Sequence, residues 1–199
     1  MTKRYDQAYF DKWYRDPRHR VGSRQRLLRE IGFVVAVTAQ LLERPPRAVL
    51  DVGAGEGRWQ PLLQQLRPGS RYAGVEPSLY AVRRWGARRN LRHGDLESLP
   101  ALGLDGPFDL VVCADVLHYL PTPALRRGLQ ALVPLIGGVA YLPAFTAEDH
   151  IAGDRVEFQP RRAARYRDIF RAAGLLAVGL HLYVPHTRAD DFAALERIA

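Results

Sequence analysis

The segment Arg47–Gly57 (Arg-Ala-Val-Leu-Asp-Val-Gly-Ala-Gly-Glu-Gly) carries the densest chemical signal in the chain. A short apolar run, Ala48-Val49-Leu50, meets Asp51, after which glycines alternate at Gly53, Gly55 and Gly57. A buried strand that enters a glycine turn and then a helix makes the crevice in which an open α/β sheet holds a nucleotide-sized ligand. Glycine has no Cβ, so the turn can be tight and a ligand can lie directly on the backbone. The dinucleotide fingerprint spaces its glycines G-x-G-x-x-G. Here the third glycine comes one residue early, and the sixth position is Arg58. Asp51, just ahead of the turn, would repel a pyrophosphate and suits a ligand with a cationic end.

Two further acidic residues extend the pattern. Glu76, followed by Pro77, closes the second apolar run, where a carboxylate can accept both hydroxyls of a ribose. Asp95, in His93-Gly94-Asp95-Leu96, follows a third run. There it can accept from an adenine exocyclic amine while Leu96 offers its N–H. A Gly-Asp pair is by itself only a turn signal. The run Phe108–Cys113 then leads to Ala114-Asp115-Val116-Leu117-His118-Tyr119-Leu120, and Cys113 to Tyr119 are expected to face the same crevice.

The elements that must position these residues alternate. A helical, aromatic arm over residues 1–22 (Tyr5, Tyr9, Phe10, Trp13, Tyr14) precedes a periodic helix at 23–43 that stops at Pro45-Pro46. Strands are expected at 47–52, 71–76, 91–94, 108–114, 137–142 and 175–182. Helices are expected at 58–66, 78–89, 122–133 and 161–172, the last capped by Gly174. This alternation implies an α/β fold with a mostly parallel sheet and helices on both faces. The domain proper then spans 23–199, with 1–22 as a helical arm or lid.

Val49–Gly57, Tyr72–Pro77, Gly94–Asp95 and Phe108–Leu120, in this order, resemble the class I S-adenosylmethionine-dependent methyltransferases. The resemblance covers roughly residues 23–184. It implies a Rossmann-like, doubly wound, seven-stranded sheet with an antiparallel last strand, placed here at 190–198. It also implies S-adenosylmethionine as cofactor. Asp51, Gly53 and Gly55, with Ala54 between them, would line its methionine part. Glu76 and Pro77 would sit at the ribose, Asp95 and Leu96 at the adenine, and Ala114 and Asp115 on the sulfonium side. Arm aromatics such as Tyr9 and Trp13 are expected either to close over the cofactor, with cation–π attraction to a sulfonium, or simply to dock a terminal helix.

Methyl transfer from a sulfonium is an in-line displacement with a good leaving group, so the protein mainly aligns the partners and excludes water. A general base is required only for a protonated or weak nucleophile. His118 leads the candidates, followed by Tyr119 and His150. A packed histidine is the competing reading. The long segment 143–160 is the expected substrate loop, with Glu148 and Asp149 on it and Arg162 and Tyr166 opening the next helix. An arginine there can pair with an acceptor's carboxylate or phosphate.

The 199 residues carry a net charge of +8, almost all of it arginine, since Lys3 and Lys12 are the only lysines. The arginines are scattered rather than striped with aromatics, and Arg83–Arg89 follow helical spacing, as on a solvated face. No apolar run reaches membrane-span length, and one cysteine, Cys113, excludes an internal disulfide. A cytoplasmic protein is expected, with no metal and no membrane partner, and its oligomeric state is left open. After the fourth strand the chain lacks the (Asp/Asn)-Pro-Pro-(Tyr/Phe) tetrad of amino-methylating DNA and protein enzymes. These features favour methyl transfer to an O or N of a small-molecule acceptor and disfavour nucleic acid. An RNA methyltransferase, a nicotinamide-dependent reductase and a non-catalytic cofactor-binding domain stand as alternatives.

Overall fold

The computed structural model describes residues 3–151 and 153–191. The arm forms a single turn, α1 (Gln7–Phe10), that runs into a π-helical turn at Asp11–Arg15. Helix α2 (Arg24–Leu42) is capped by the Ser23 hydroxyl, which accepts from Arg26 N at 3.1 Å. Glu43 ends it in the left-handed region, at φ 52°, ahead of the two prolines.

Strands and helices then alternate as β1 (Ala48–Val52), α3 (Trp59–Leu66), β2 (Arg71–Glu76), α4 (Leu79–Arg89), β3 (Leu91–His93), β4 (Phe108–Val112), α5 (Thr122–Leu132), β5 (Ile136–Tyr141) and α6 (Ala163–Ala172). A hairpin of β6 (Leu175–Gly179) and β7 (Leu182–Pro185) follows. The seven strands lie in the order β3-β2-β1-β4-β5-β7-β6. β1 pairs in parallel with both β2 and β4, and β7 runs antiparallel to both its neighbours. Every residue of β1 is buried, as expected of a strand covered on both faces.

Each face has its own apolar core. On one, α5 and α6 contribute Leu125, Leu129, Leu132, Ile169 and Phe170. On the other, α2 and α3 contribute Ile31, Val34, Val35, Trp59 and Leu63. The strand order reverses between β1 and β4, so the ligand crevice of such a sheet opens at the carboxyl ends of these strands. No helix among the described residues is long and apolar enough to cross a membrane.

One expectation is corrected. The segment 175–182 is not a single strand, because Leu180 and His181 turn it at φ 51° and 64°. The antiparallel last strand is 182–185, inserted between β5 and β6, and not an edge strand at 190–198. Asp190 and Asp191 belong to a 3-10 turn, and 192–198 lie outside the described residues. Leu and His are poor turn formers, so the hairpin has no local signal in the sequence.

Candidate functional site

Asp51 lies near the carboxyl end of β1, in register with Gly74 of β2 and Val112 of β4. It is 3% exposed, and its Oδ2 accepts from Tyr72 Oη at 2.7 Å. Burial pushes its carboxyl up to about 7, so the site would welcome a compensating cation. Gly53, Gly55 and Gly57 all take positive φ (73°, 57° and 67°), which L side chains adopt at a cost. Gly53 N and Ala54 N both donate to Val75 O, locking the turn onto β2.

Glu76 is also buried. Gly55 N donates to its Oε2 at 2.7 Å, and Ser78 N donates to its Oε1 at 2.8 Å. Each carboxylate oxygen keeps a second lone pair, so a fixed pair of acceptors remains for a vicinal diol. Desolvation raises this carboxyl despite the two donors. Pro77 is exposed at the strand end. Asp95 is exposed after β3, and its Oδ1 accepts from Glu97 N and Ser98 N in a local turn. Leu96 is buried against Gly128 of α5. Together these groups suit a ligand with an ammonium end, a diol and a flat ring.

The arm lies across the glycine turn. Tyr14 Oη and Phe10 fill the space a side chain on Gly55 would need. Phe10 stacks on Tyr80 with ring centroids 5.7 Å apart, and Ser78 Oγ donates to Tyr5 O at 2.5 Å. Arg15 pairs with Glu56 at 2.5 Å. Tyr9 packs edge-on against Tyr5 and Phe10, whereas Trp13 packs against His19 and Lys12.

Beyond β4, Ala114 is half-buried, and Asp115 is exposed at φ 59° with its N–H donated to Pro143 O. His118 is 1% exposed, with the rings of Tyr119, Phe145 and Phe158 at 4.2, 5.2 and 5.9 Å. Burial, together with the charges of Lys3 and Arg161, pushes its imidazole down to about 4, so the ring is neutral near pH 7. Phe145 N donates to Nδ1 at 3.4 Å, which assigns the ring proton to Nε2. Nε2 is buried and has no hydrogen-bond partner among the described residues.

Tyr119 donates its hydroxyl to Asp154 O at 2.8 Å, and Gln159 N donates to His118 O at 2.8 Å. These bonds fold the segment 143–160 back over the end of β4. Lys3 enters the same chamber. Its Nζ lies 2.8 Å from Asp154 Oδ2, with the two side chains 3% and 10% exposed. It also sits 3.4 Å from the Tyr119 ring centroid, 5.2 Å from that of Tyr5 and 5.4 Å from that of Tyr9. The sequence singles out neither Lys3 nor Phe158 nor Asp154 for this chamber. The three meet across long chain separations that leave no local pattern.

The other expected residues lie apart from this chamber. Glu148 Oε2 accepts from Ala163 N at the start of α6, and Asp149 Oδ2 accepts from Thr146 N and Oγ1. His150 and Arg162 are exposed. Tyr166 is buried, and its hydroxyl accepts from Arg161 Nη1 at 3.0 Å. Arg161 is the buried arginine here. It donates to Thr122 Oγ1, Leu117 O and Leu120 O, pinning α6 to the segment after β4.

Residues 49–136 match the methyltransferase domain family. Searches against curated proteins return no match. Among solved structures, an amino pentose methyltransferase from Micromonospora echinaspora, crystallised with S-adenosylmethionine, is 18% identical with a TM-score of 0.65, covering 92% of this chain and 98% of that one. DesVI of Streptomyces venezuelae is 17% identical with a TM-score of 0.64, covering 80% and 92%. Magnesium protoporphyrin IX methyltransferase from Synechocystis PCC 6803, with S-adenosylhomocysteine bound, is 24% identical with a TM-score of 0.56, covering 87% of each. These likenesses establish the fold.

Proposed function

We propose that the chain is a class I S-adenosylmethionine-dependent methyltransferase and that it methylates an oxygen or nitrogen of a small molecule. The observation that carries this reading is the cover over the end of β4. The arm, Tyr119, His118 and the segment 143–160 close over it so tightly that the Lys3 side chain among them is only 3% exposed. An approach of that kind favours a small acceptor over a folded polynucleotide. The amino pentose and porphyrin substrates of the structural neighbours are of the same class.

When bound, S-adenosylmethionine supplies a methyl group activated on a sulfonium. Asp51 is placed to pair with its amino group, Glu76 to accept its ribose hydroxyls, and Asp95 with Leu96 to meet its adenine. Ala114 and Asp115 border the path from cofactor to acceptor. Phe10 and Tyr14 cover the glycine turn, with Tyr9 packed behind Phe10, and keep water out, which is where most of the rate advantage of a displacement lies. His118 enters as a holding group. With its proton on Nε2 it donates to an acceptor oxygen, and a neutral ring adds no charge to repel the sulfonium. Tyr119, fixed through Asp154, forms the opposite wall.

The test is a melting series with S-adenosylmethionine, S-adenosylhomocysteine and NAD, followed by transfer of labelled methyl to small oxygen and nitrogen acceptors and to RNA. A ligand that binds only the folded state raises the melting temperature. Stabilisation by the first two alone, with label on small molecules, is the expected result. Label on RNA that falls steeply with salt would overturn the small-molecule reading.

A further inference from the structure

We propose that the acceptor is a cationic amine, and that Tyr5, Tyr9, Tyr119 and Asp154 form the cage that recognises its ammonium group. This narrows the small-molecule reading above and rests on it. Three tyrosine rings around one ammonium, with a single shielded carboxylate at 2.8 Å, make up the recognition chemistry of a cationic nitrogen. The chain fills that cage with its own Lys3. Apart from the Asp154 ion pair, Lys3 Nζ has no hydrogen-bond partner among the described residues, and it is almost wholly buried.

The Lys3 backbone N–H donates to Glu157 Oε1 at 3.0 Å, which fastens the segment without the side chain, whereas burying the ammonium among aromatic faces and one carboxylate carries a large desolvation cost. It is an economical arrangement if the cage exists for another amine and Lys3 shields it between turnovers. The position fits. Tyr5 is tied through its carbonyl to Ser78, next to the ribose acceptor Glu76. Tyr119 and Asp154 sit on the far side, where the Tyr119 ring packs against that of His118 with centroids 4.2 Å apart. The cage therefore forms the side of the acceptor chamber nearest the cofactor residues.

The transfer balances with the groups present. The bound ammonium gives one N–H proton to the Asp154 carboxylate. The freed nitrogen lone pair forms the new C–N bond to the methyl carbon as the C–S bond breaks. That electron pair goes to sulfur, and the product leaves as an N-methylated ammonium. The charge stays on the acceptor nitrogen, so the cage can hold a product for a second round.

The experiment compares choline with its neutral carbon isostere, 3,3-dimethylbutan-1-ol, by saturation-transfer NMR on the full-length protein and on the Lys3→Met variant. Both are measured with S-adenosylmethionine absent and saturating. Choline should bind at least tenfold more tightly than the isostere and gain a further several-fold in Lys3→Met. It should persist with S-adenosylmethionine present. Tyr119→Leu and Asp154→Asn should each lose this preference, and Tyr119→Phe should keep it. In parallel, labelled methyl should reach primary amines and not the matched alcohols. Equal binding of choline and isostere overturns the proposal, as does displacement of choline by S-adenosylmethionine, which would make the cage a sulfonium pocket. Label on alcohols alone overturns it too, while leaving the small-molecule reading intact. A protein that fails to bind S-adenosylmethionine removes the reading beneath both.

Discussion

The Tyr14 hydroxyl occupies the space that a side chain on Gly55 would take, so the arm and the glycine turn interlock at the point where a cofactor's backbone contact is made. A ligand that lies on Gly55 must first lift Tyr14. Tyr14→Ala should therefore raise both the association and the dissociation rate of S-adenosylmethionine several-fold, read by stopped-flow protein fluorescence. An association rate unchanged by the substitution would mean that the arm does not gate the crevice.

Glu76 makes a sharper prediction, because both its oxygens already hold the backbone of the site. In Glu76→Gln one oxygen becomes an NH2, which cannot accept from Gly55 N or Ser78 N. Leaving a buried N–H unpaired costs about 1–3 kcal/mol, and one ribose acceptor is lost with it. Calorimetry should show at least a tenfold weaker S-adenosylmethionine complex, together with a lower urea midpoint. Affinity preserved at reduced stability would place the ribose elsewhere.

Asp51 ties cofactor affinity to pH. Its free carboxyl titrates near 7, whereas an ion pair with the cofactor's amino group needs it ionised. Affinity should fall as pH drops below about 7, by up to tenfold per unit, and binding at pH 6 should release a proton detectable as a buffer-dependent heat. For the free protein, a raised carboxyl contributes stability below its unfolded value near 3.8 and loses it as pH rises through 7. Asp51→Asn should accordingly abolish the pH dependence of binding and raise the free protein's stability at pH 8. A flat affinity profile for the unaltered chain would remove Asp51 from the amino-group role.

The parts of this molecule legible in its sequence are those written within a few neighbouring residues. The strand–glycine–helix segment at 48–66 and the acidic end of β2 announce themselves because their conformations are local demands, such as positive φ at Gly53 and Gly55. The hairpin at Leu180-His181 has no such signature, so two strands looked like one. The chamber around His118 was legible only in part. Its own strand exit was plain, but the groups that set its charge state, Lys3 and Arg161, arrive from distant segments. Arg162 and Tyr166 stood out as polar residues at a helix start, yet it is Arg161 that turns inward and takes the Tyr166 hydroxyl. Both arginines precede α6, and the boundary of a helix that follows a long loop is the feature least marked in the sequence.

Buried Arg161 and His118 together set the last expectation. His118 remains neutral in the folded chain down to about pH 4, while in the unfolded chain it takes a proton near 6.5. The unfolded state binds more protons between these values, so stability rises with pH across that window and is lost as pH falls from about 6.5 toward 4. The shift corresponds to about 3 kcal/mol at full extent. His118→Leu should remove this part of the slope in urea titrations run from pH 4 to 7. Arg161→Met should lower stability at every pH, because three backbone and side-chain acceptors and the Tyr166 hydroxyl lose their donor. It should also shrink the slope, because one charge that keeps His118 neutral is gone. A slope unchanged in His118→Leu would show that the imidazole is solvated and protonates freely, and would withdraw its assignment as a neutral donor in the acceptor chamber.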